Sequence, residues 1–305
     1  MPTSTTRPGL PLLRDGLRGV RALILDADGV LLYAGQPLPG AAEALARLDD
    51  SGTPYRVVTN FSLAHRTSLA AGVSRQFGRP VRPESIITAA SAAAAYTARH
   101  HAGQPLLVLA SDDARREWDG QEVLTPEEAD ASDGAVAAVV IGDAGDDLSF
   151  RNLDIAFRRL RAGAAFVAMH RNPWWVTPKG VTLDSGALVI GLEHALERRA
   201  TIAGKPSAVV FREAVRELAL EVAAAGGLRL RSGDVAMIGD DLQADVAGAQ
   251  RAGLRGILVL TGKTDRAAVE ADAARRARRR RGGGRGPDGV GDGVLDVVKA
   301  LLGER

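Results

Sequence analysis

Two carboxylates, Asp26 and Asp28, close the apolar stretch ALILDADGV, and Gly29 follows them directly. Like charges this close repel each other, so a cation or a basic side chain should lie nearby and offset them. One carboxylate of such a pair can act as a nucleophile while the other carries a proton. Gly29 permits a sharp turn that presents backbone N–H groups to an anion. These three residues are the first candidates for a functional site.

Polar clusters also follow three other apolar runs of the sequence. They are TN at 59–60, GKP at 204–206 and GDDLQAD at 239–245. Each cluster alone is better explained as a helix cap, a turn or a surface loop. However, the carboxyl ends of parallel strands line the ligand crevice of an open α/β sheet. Four clusters at such positions favour one shared site over four unrelated turns.

The residue types in these clusters suit phosphoryl transfer. Asp26 and Asp240 offer the hard oxygen ligands that Mg²⁺ takes, and Asp26 could attack phosphorus to form an aspartyl-phosphate. Asp28 could protonate the leaving oxygen and later accept a proton from the attacking water. Thr59 and Lys205 could bind the equatorial phosphoryl oxygens, over which negative charge spreads in the transition state.

The elements that must position these residues alternate between short apolar runs and helix-length amphipathic stretches. This alternation predicts an α/β fold built on parallel sheets. Strands are predicted at VRALILDA, YRVVTN, DVAMIGDD and LRGILVLTG. A second set of strands and helices lies in the middle of the chain and begins with a predicted helix at SIITAASAAAAYTARHH. We therefore predict a core domain formed by 1–82 and 203–305, an inserted α/β cap domain at 83–202, and a flexible Arg/Gly-rich insertion at 275–286.

With these motifs the chain resembles the haloacid dehalogenase superfamily, specifically its subfamily IIA phosphatases, which include the NagD-like, p-nitrophenylphosphatase and phospholysine phosphohistidine inorganic pyrophosphate phosphatase groups. The residues that match the four family motifs are Asp26, Asp28 and Gly29, then Thr59 and Asn60, then Lys205, and finally Asp240, Asp241 and Asp245. The resemblance extends through cap stretches such as FRNLDIAFRRLRAGAAFVAMHRNP. It implies a Rossmann-like, doubly wound parallel sheet with an inserted α/β cap.

The resemblance also implies a role for each matched residue. Asp26 would be the nucleophile and Asp28 the general acid and base. The substrate phosphate would be bound by Gly29, Thr59, Asn60 and Lys205. Mg²⁺ would be held by Asp26, the main-chain carbonyl of Asp28, and Asp240. Asp245 would lie behind these ligands and orient Lys205 or a metal-bound water, whereas Asp241 is equally well explained as the start of a helix.

The predicted cap loop HRNPWWVTPKGVTLDSGA departs from the usual family sequence, because DSG at 184–186 replaces a Pro-Gly pair. The resemblance places this loop over the active site, beside the leaving group. Its candidate substrate contacts are His170, Asn172, Trp174 and Asp184. Trp174 and Trp175 are equally compatible with stacking on an aromatic or sugar substrate and with a hydrophobic hinge or dimer contact.

The composition and the remaining motifs limit other classes of function. The 305-residue chain contains no cysteine, which excludes disulfides and thiolate chemistry. No long apolar run predicts a transmembrane helix and no signal-peptide core is present, so we expect a cytoplasmic protein with no membrane partner. GILVLTGKT is not a phosphate-binding P-loop, because five residues rather than four separate Gly256 from Gly262. The histidines show no zinc-ligand spacing.

The basic character of the chain is local. Seven arginines fall within 275–285, and without them the formal net charge of +2 becomes −5. A solvated insertion is therefore favoured over a nucleic-acid-binding surface. We expect the partner to be a small phosphorylated metabolite such as a sugar phosphate or a nucleotide, and the family resemblance leaves a homodimer open. The competing interpretations are a non-catalytic metabolite-binding protein and a nucleic-acid-associated protein on the same fold.

Overall fold

The computed structural model of the chain describes residues 10–131, 134–177, 180–278 and 285–304. The chain groups into two compact units. The first consists of Met1–Val58, Arg75–Arg79 and Ala214–Arg305, and the second consists of Thr59–Ser74 and Pro80–Glu213. The second unit includes the whole of the stretch 83–202, whose assignment as a cap stays a prediction. Strands and helices are numbered along the chain.

The first unit is built on a parallel sheet. Its strands are β1 (Ala22–Asp26), β4 (Tyr55–Val58), β13 (Val235–Gly239), β14 (Arg255–Val259) and β15 (Gly289–Gly291), with a small antiparallel pair β2 (Leu32–Tyr33) and β3 (Gln36–Pro37). The parallel strands stand in the order β15-β14-β13-β1-β4. Every residue of β1 and of β13 is buried, as expected for central strands that are covered on both faces.

Helices cover the sheet of the first unit. They are α1 (Leu13–Gly16), α2 (Ala41–Asp50), a π-helical turn Leu242–Ala247, α10 (Gly248–Arg251), α11 (Arg266–Arg278) and α12 (Val294–Leu302), with a 3₁₀ turn at Ser232–Asp234. In α2 the buried residues Ala41, Ala44, Leu45 and Leu48 recur at the spacing of one helix face. Val246, Leu258 and Val269 form a buried apolar cluster that joins the π-helical turn, β14 and α11.

The second unit has its own parallel sheet and an antiparallel ribbon. The strands are β5 (Ile86–Ile87), β6 (Leu106–Leu109), β7 (Val123–Leu124), β8 (Ala138–Ile141), β9 (Ala165–Ala168), β10 (Trp174–Thr177), β11 (Gly180–Leu183) and β12 (Thr201–Ile202). The parallel strands stand in the order β12-β9-β8-β6-β7, β10 pairs with β11 as the ribbon, and β5 belongs to neither of these two sheets. Both sheets therefore confirm the predicted α/β class with parallel strands.

Helices pack on this second sheet. They are α4 (Ala89–His100), α5 (Asp112–Arg115), α6 (Pro126–Ala131), α7 (Phe150–Arg161) and α8 (Ser185–Leu196), with 3₁₀ turns at Pro83–Ser85, Arg116–Trp118 and Gly145–Asp147. The boundary between the units falls within α3 (Arg66–Phe77) and α9 (Ala208–Ala224). Ile155 and Leu160 of α7, Val189 of α8 and the inward residues of β8 and β9 form one apolar core.

Two elements differ from the sequence prediction. Ile86–Ile87 is a short strand, whereas the sequence predicted a helix through this stretch, and α4 begins only at Ala89 after the Thr88 cap. Helix α11 continues to Arg278 and so runs into the stretch 275–286 that was predicted to be flexible. Helix-favouring alanines and the pairing of Arg276 with Asp272 one turn earlier stabilise this extension. Residues 279–284 lie outside the described residues.

Within the described ranges, no helix combines the length and the apolar character needed to cross a membrane.

A buried arginine in the first unit provides a test of its packing. Arg56 of β4 is 6% exposed, and its guanidinium contacts Glu217 at 3.0 Å and Glu221 at 2.6 Å. Replacing Arg56 by Met should lower the free energy of unfolding by about 2–3 kcal/mol, because two carboxylates lose their partner. Urea titration measures the change. The matched control is Arg18→Met, which removes an exposed pair with Asp15 and should cost less than about 0.5 kcal/mol. Equal losses in the two variants would contradict this account.

Candidate active site

Three buried carboxylates meet at the carboxyl edge of the first unit's sheet. Asp26 is the last residue of β1, Asp240 directly follows β13, and Asp245 lies in the π-helical turn after it. One side-chain oxygen from each lies within 4.8 Å of the other two. The sheet register brings them together, because Leu25 of β1 pairs with Ile238 of β13 and both strands end at the same level. Two of the predicted metal ligands, Asp26 and Asp240, are thus neighbours.

The turn after β1 depends on Gly29. Its φ of +79° lies in the left-handed region, where a Cβ is unfavourable, and its N–H donates to the carbonyl of Leu32 at 2.7 Å. A Cβ at this position would lie 2.2 Å from Oδ2 of Asp240. Glycine is therefore required here both by the backbone conformation and by the close approach of the carboxylate.

Asp28 occupies a different environment from the three clustered carboxylates. Its side chain is exposed, and its backbone forms an isolated bridge with Leu32. Asp26, by contrast, is buried, and its Oδ1 accepts the N–H of Ala27 at 2.6 Å. Asp26 and Asp28, which are one residue apart in the motif, therefore have different environments. Asp26 is fixed within the buried cluster, whereas Asp28 is exposed to solvent.

Asp241 starts the π-helical turn that carries Asp245. Its Oδ1 accepts the N–H groups of Gln243 at 2.8 Å and Ala244 at 3.0 Å, and its own N–H donates to Oδ2 of Asp245 at 3.1 Å. Burial raises the pKa of Asp241, but the two backbone hydrogen bonds and the charge of Lys263 outweigh burial and leave the pKa below its ordinary value. Asp241 therefore acts as an ionised helix cap that also fixes Asp245.

The loop after β14 also reaches this cluster, although the motifs of the sequence did not predict it as part of the site. The backbone N–H of Lys263 donates to Oδ2 of Asp240 at 2.7 Å, and the hydroxyl of Thr261 donates to the carbonyl of Gly29 at 2.5 Å. The rule that polar residues after parallel strands line the ligand crevice applies equally to β14. That rule could have identified the loop as part of the site. Its sequence, GILVLTGKT, was compared only with a P-loop, which its spacing excludes.

The remaining core motifs lie in the second unit. Thr59 is buried, and its hydroxyl accepts the N–H of Phe61 at 3.1 Å. The amide of Asn60 is engaged with the main chain of Lys205: Nδ2 donates to the Lys205 carbonyl at 3.0 Å, and Oδ1 accepts the Lys205 N–H at 2.7 Å. Asn60 therefore positions Lys205, and its predicted contact with the substrate phosphate stays a prediction.

A second polar cluster, formed by Ser62, Asp143, His170 and Asp184, also lies within the second unit. Nε2 of His170 lies 3.2 Å from the Ser62 hydroxyl, 3.7 Å from Asp184 and 3.9 Å from Asp143. Both carboxylates face the same imidazole nitrogen as the serine. A Ser-His-Asp triad requires the acid on the other nitrogen, so the cluster cannot work as one.

The carboxyl group of Asp184 is perturbed by this environment. Burial raises its pKa, the nearby His170 lowers it and Asp143 raises it again, so that the pKa lies above its ordinary value. Oδ1 of Asp184 also accepts the N–H of Ser185 at the start of α8. His170 and Asp184, two of the candidate substrate contacts, are therefore buried partners of each other.

The other candidate cap contacts, Asn172 and Trp174, are exposed. Trp174 pairs with Leu183 across the β10–β11 ribbon, which places both side chains on the same face, and they are 58% and 70% exposed. This arrangement leaves an apolar surface on the second unit but assigns no ligand to it.

The three-carboxylate cluster of the first unit fits a divalent cation. Its donors are all carboxylate oxygens, the type that hard ions such as Mg²⁺ prefer. The carboxylate of Asp240 occupies the space that a Cβ on residue 29 would fill. Residue 29 must therefore be glycine for Asp240 to lie in the cluster. Asp26, Asp240 and Asp245 are thus able to hold a cation, whose charge would offset their mutual repulsion.

Comparison with known proteins gives a consistent result. A model of the haloacid dehalogenase-like hydrolases matches residues 23–123, and a second HAD hydrolase-like model matches 202–279. The phospholysine phosphohistidine inorganic pyrophosphate phosphatase of Bos taurus is 34% identical over 253 residues, which is 81% of this chain and 85% of the relative.

Solved structures agree with these matches. A p-nitrophenyl phosphatase from Archaeoglobus fulgidus has a TM-score of 0.77 at 26% identity, covering 92% of this chain and 99% of its own. A glycerol phosphate phosphatase from Mycobacterium tuberculosis, in complex with magnesium, has a TM-score of 0.73 at 25% identity and covers 95% and 78%.

The raised pKa of Asp184 predicts a pH-dependent effect on stability. The folded protein holds the Asp184 proton more tightly than the unfolded chain, so stability falls as pH rises from the ordinary aspartate pKa through the raised one. Asp184→Asn stays neutral and can still cap α8. Its stability relative to the parent should therefore increase across this acid window and level off above it.

Thermal unfolding of both proteins at a series of pH values measures this difference. Asp146→Asn, which removes an exposed carboxylate of the same unit, separates the effect of burial from the loss of one negative charge. A pH-independent difference between Asp184→Asn and the parent would contradict the assignment.

Proposed function

The chain belongs to the haloacid dehalogenase-like hydrolases, and from that membership we propose that it is a Mg²⁺-dependent phosphatase of a small phosphorylated metabolite. The observation that carries the proposal is the cluster of Asp26, Asp240 and Asp245 at the carboxyl edge of the first unit's sheet, within the family's motifs. The glycerol phosphate phosphatase whose structure contains magnesium supports the choice of ion.

The reaction uses the two aspartates of the first motif in turn. A carboxylate oxygen of Asp26 attacks phosphorus, the bond from phosphorus to the ester oxygen breaks, and Asp28 gives its proton to the departing alcohol. Water then attacks the aspartyl-phosphate, Asp28 takes the proton from that water, and inorganic phosphate leaves Asp26. The exposed position of Asp28 suits this exchange of protons with substrate and water.

The other residues of the motifs bind the substrate phosphate or hold the cation that would offset its negative charge. Mg²⁺, when held by Asp26, Asp240 and the carbonyl of Asp28, supplies positive charge that favours the approach of a phosphate dianion to a carboxylate. Thr59 and Lys205 bind the phosphoryl oxygens, and the hydrogen bonds of Asn60 to the main chain of Lys205 keep that lysine in place. Asp245 supports the ligands from the π-helical turn.

Phosphoryl transfer is favoured over the related dehalogenation, because a halide leaving group needs no proton donor and Asp28 would then have no task. The intact Asp26, Asp28, Lys205 and Asp240 also favour an enzyme over a non-catalytic binding protein. The substrate-selecting contacts remain those proposed for the 83–202 cap, with Asn172 and Trp174 exposed on the second unit.

Removing the nucleophile tests the mechanism. Asp26→Asn should lower kcat for p-nitrophenyl phosphate in Mg²⁺ by roughly 10³-fold or more, because an amide cannot form the phosphoenzyme. Asp50→Asn, which changes an exposed carboxylate on α2, serves as the control and should keep full activity. Hydrolysis that persists in Asp26→Asn would exclude the aspartyl-phosphate.

Replacing the proton donor Asp28 should slow the reaction of substrates with strongly basic leaving groups more than that of substrates with weakly basic ones. In Asp28→Asn, rapid-quench measurement should show phosphoenzyme formation slowed by about 10²-fold or more from an alkyl phosphate such as glycerol phosphate. Formation from p-nitrophenyl phosphate should slow much less, because its weakly basic phenolate leaves without a proton. Equal losses for the two substrates would show that Asp28 is not the acid.

A further inference from the structure

The loop that follows β14 holds the carboxylate of Asp240 by its backbone. The N–H of Lys263 donates to Oδ2 of Asp240 at 2.7 Å, and this contact joins positions 23 residues apart in the sequence. Two residues earlier, the Thr261 hydroxyl donates to the carbonyl of Gly29 at 2.5 Å. The same short loop therefore contacts both the turn after β1 and the carboxylate after β13.

The carboxylate of Asp240 lies in a slot between two glycines. A Cβ added at Gly262 would lie 1.9 Å from Oδ2 of Asp240, and a Cβ added at Gly29 would lie 2.2 Å from the same atom. Real Cβ atoms do not approach an oxygen this closely, so any side chain at either position would displace the carboxylate. Gly262, unlike Gly29, has no positive φ that would require glycine. Glycine at position 262 is therefore needed only because the Asp240 carboxylate packs directly against its backbone.

The side chain of Lys263 ties this loop to the next carboxylate along the chain. Its ammonium lies 3.3 Å from Oδ2 of Asp241, whose other oxygen caps the π-helical turn. Lys263 thus holds Asp240 by its backbone and Asp241 by its side chain. The ammonium is largely exposed, so the ion pair itself adds little stability. The backbone contact and the glycine slot are the stronger constraints.

We propose that Thr261, Gly262 and Lys263 are positioning residues that fix Asp240 in the orientation needed to bind Mg²⁺. This inference rests on the proposed function, since it assigns the loop to the metal centre of that reaction. A hydrogen bond to Oδ2 and the close approach of two glycines restrict rotation of the carboxylate. Groups that orient metal ligands commonly change metal affinity by roughly 10–100-fold when they are lost.

Magnesium affinity of the intact chain tests the proposal directly. Isothermal titration with MgCl₂, without substrate, should show binding weakened by roughly 10–100-fold in Gly262→Ala. Thr261→Val, which keeps the shape of the side chain but removes its hydroxyl, should also weaken binding, and Thr261→Ser should restore it. The matched control is Gly233→Ala, because Gly233 has ordinary φ and no atom within 4 Å of an added Cβ. It should bind Mg²⁺ like the parent.

Thermal unfolding in EDTA shows whether a variant is folded before the titration. If Gly262→Ala fails to fold, Thr261→Val and Thr261→Ser decide the question, since they add no atom to the slot. Parental Mg²⁺ affinity in folded Gly262→Ala, or in Thr261→Val, would overturn the inference, as would a parent protein that binds no Mg²⁺.

The outcomes also separate this inference from the proposed function. If the parent binds Mg²⁺ and the variants do so weakly, the positioning role holds even where no phosphomonoester is hydrolysed, and only the proposed reaction fails. If the parent is a phosphatase and the variants bind Mg²⁺ normally, the reaction stands and the positioning role fails. A drop in kcat without a change in Mg²⁺ affinity belongs to the second case.

Discussion

The crowding of Asp26, Asp240 and Asp245 is the constraint on which the rest of the first unit depends. Three buried carboxylates with oxygens within 4.8 Å repel one another, and burial removes the water that would screen them. Hydrogen bonds from backbone N–H groups relieve part of this cost: Ala27 donates to Asp26, Lys263 to Asp240, and Asp241 to Asp245. A bound cation would relieve the remainder, so folding of this edge and metal binding are linked.

The same crowding explains why glycines surround the three carboxylates. Asp240 lies against Gly29 and Gly262, and a Cβ on Gly239 would lie 2.2 Å from the Cβ of Asp245. Each glycine loses more conformational entropy on folding than a larger residue would. The chain accepts this loss at positions where two backbones and a carboxylate must approach closely. Local backbone preference is sacrificed here so that the carboxylates can lie together, as is common at functional sites.

The sequence predicted the parts of this arrangement that depend on local pattern. Apolar runs located β1, β4, β13 and β14, and strand-end polar residues located Asp26 and Asp240. Contacts between distant residues were beyond it: Asn60 meets the Lys205 main chain across 145 positions, and Lys263 meets Asp240 across 23. Such pairings depend on strand order and on loop paths that one sequence does not encode in any local signal. Helix α11 extends to Arg278, into the stretch 275–286 that the clustered arginines and glycines had predicted to be flexible, and alanines and the Arg276–Asp272 pair favour the helix there.

The two units manage buried carboxylates by different means. In the second unit, Asp184 lies beside His170 and Asp143, and its raised pKa shows that a proton can neutralise part of the cluster. In the first unit, two backbone N–H groups and Lys263 hold the pKa of Asp241, which precedes the π-helical turn beside the cluster, below its ordinary value. The first cluster offers only carboxylate oxygens, the donors that hard divalent ions prefer, whereas the second cluster places an imidazole beside its two carboxylates. A divalent ion would therefore offset the repulsion in the first cluster, and a proton on Asp184 offsets part of it in the second.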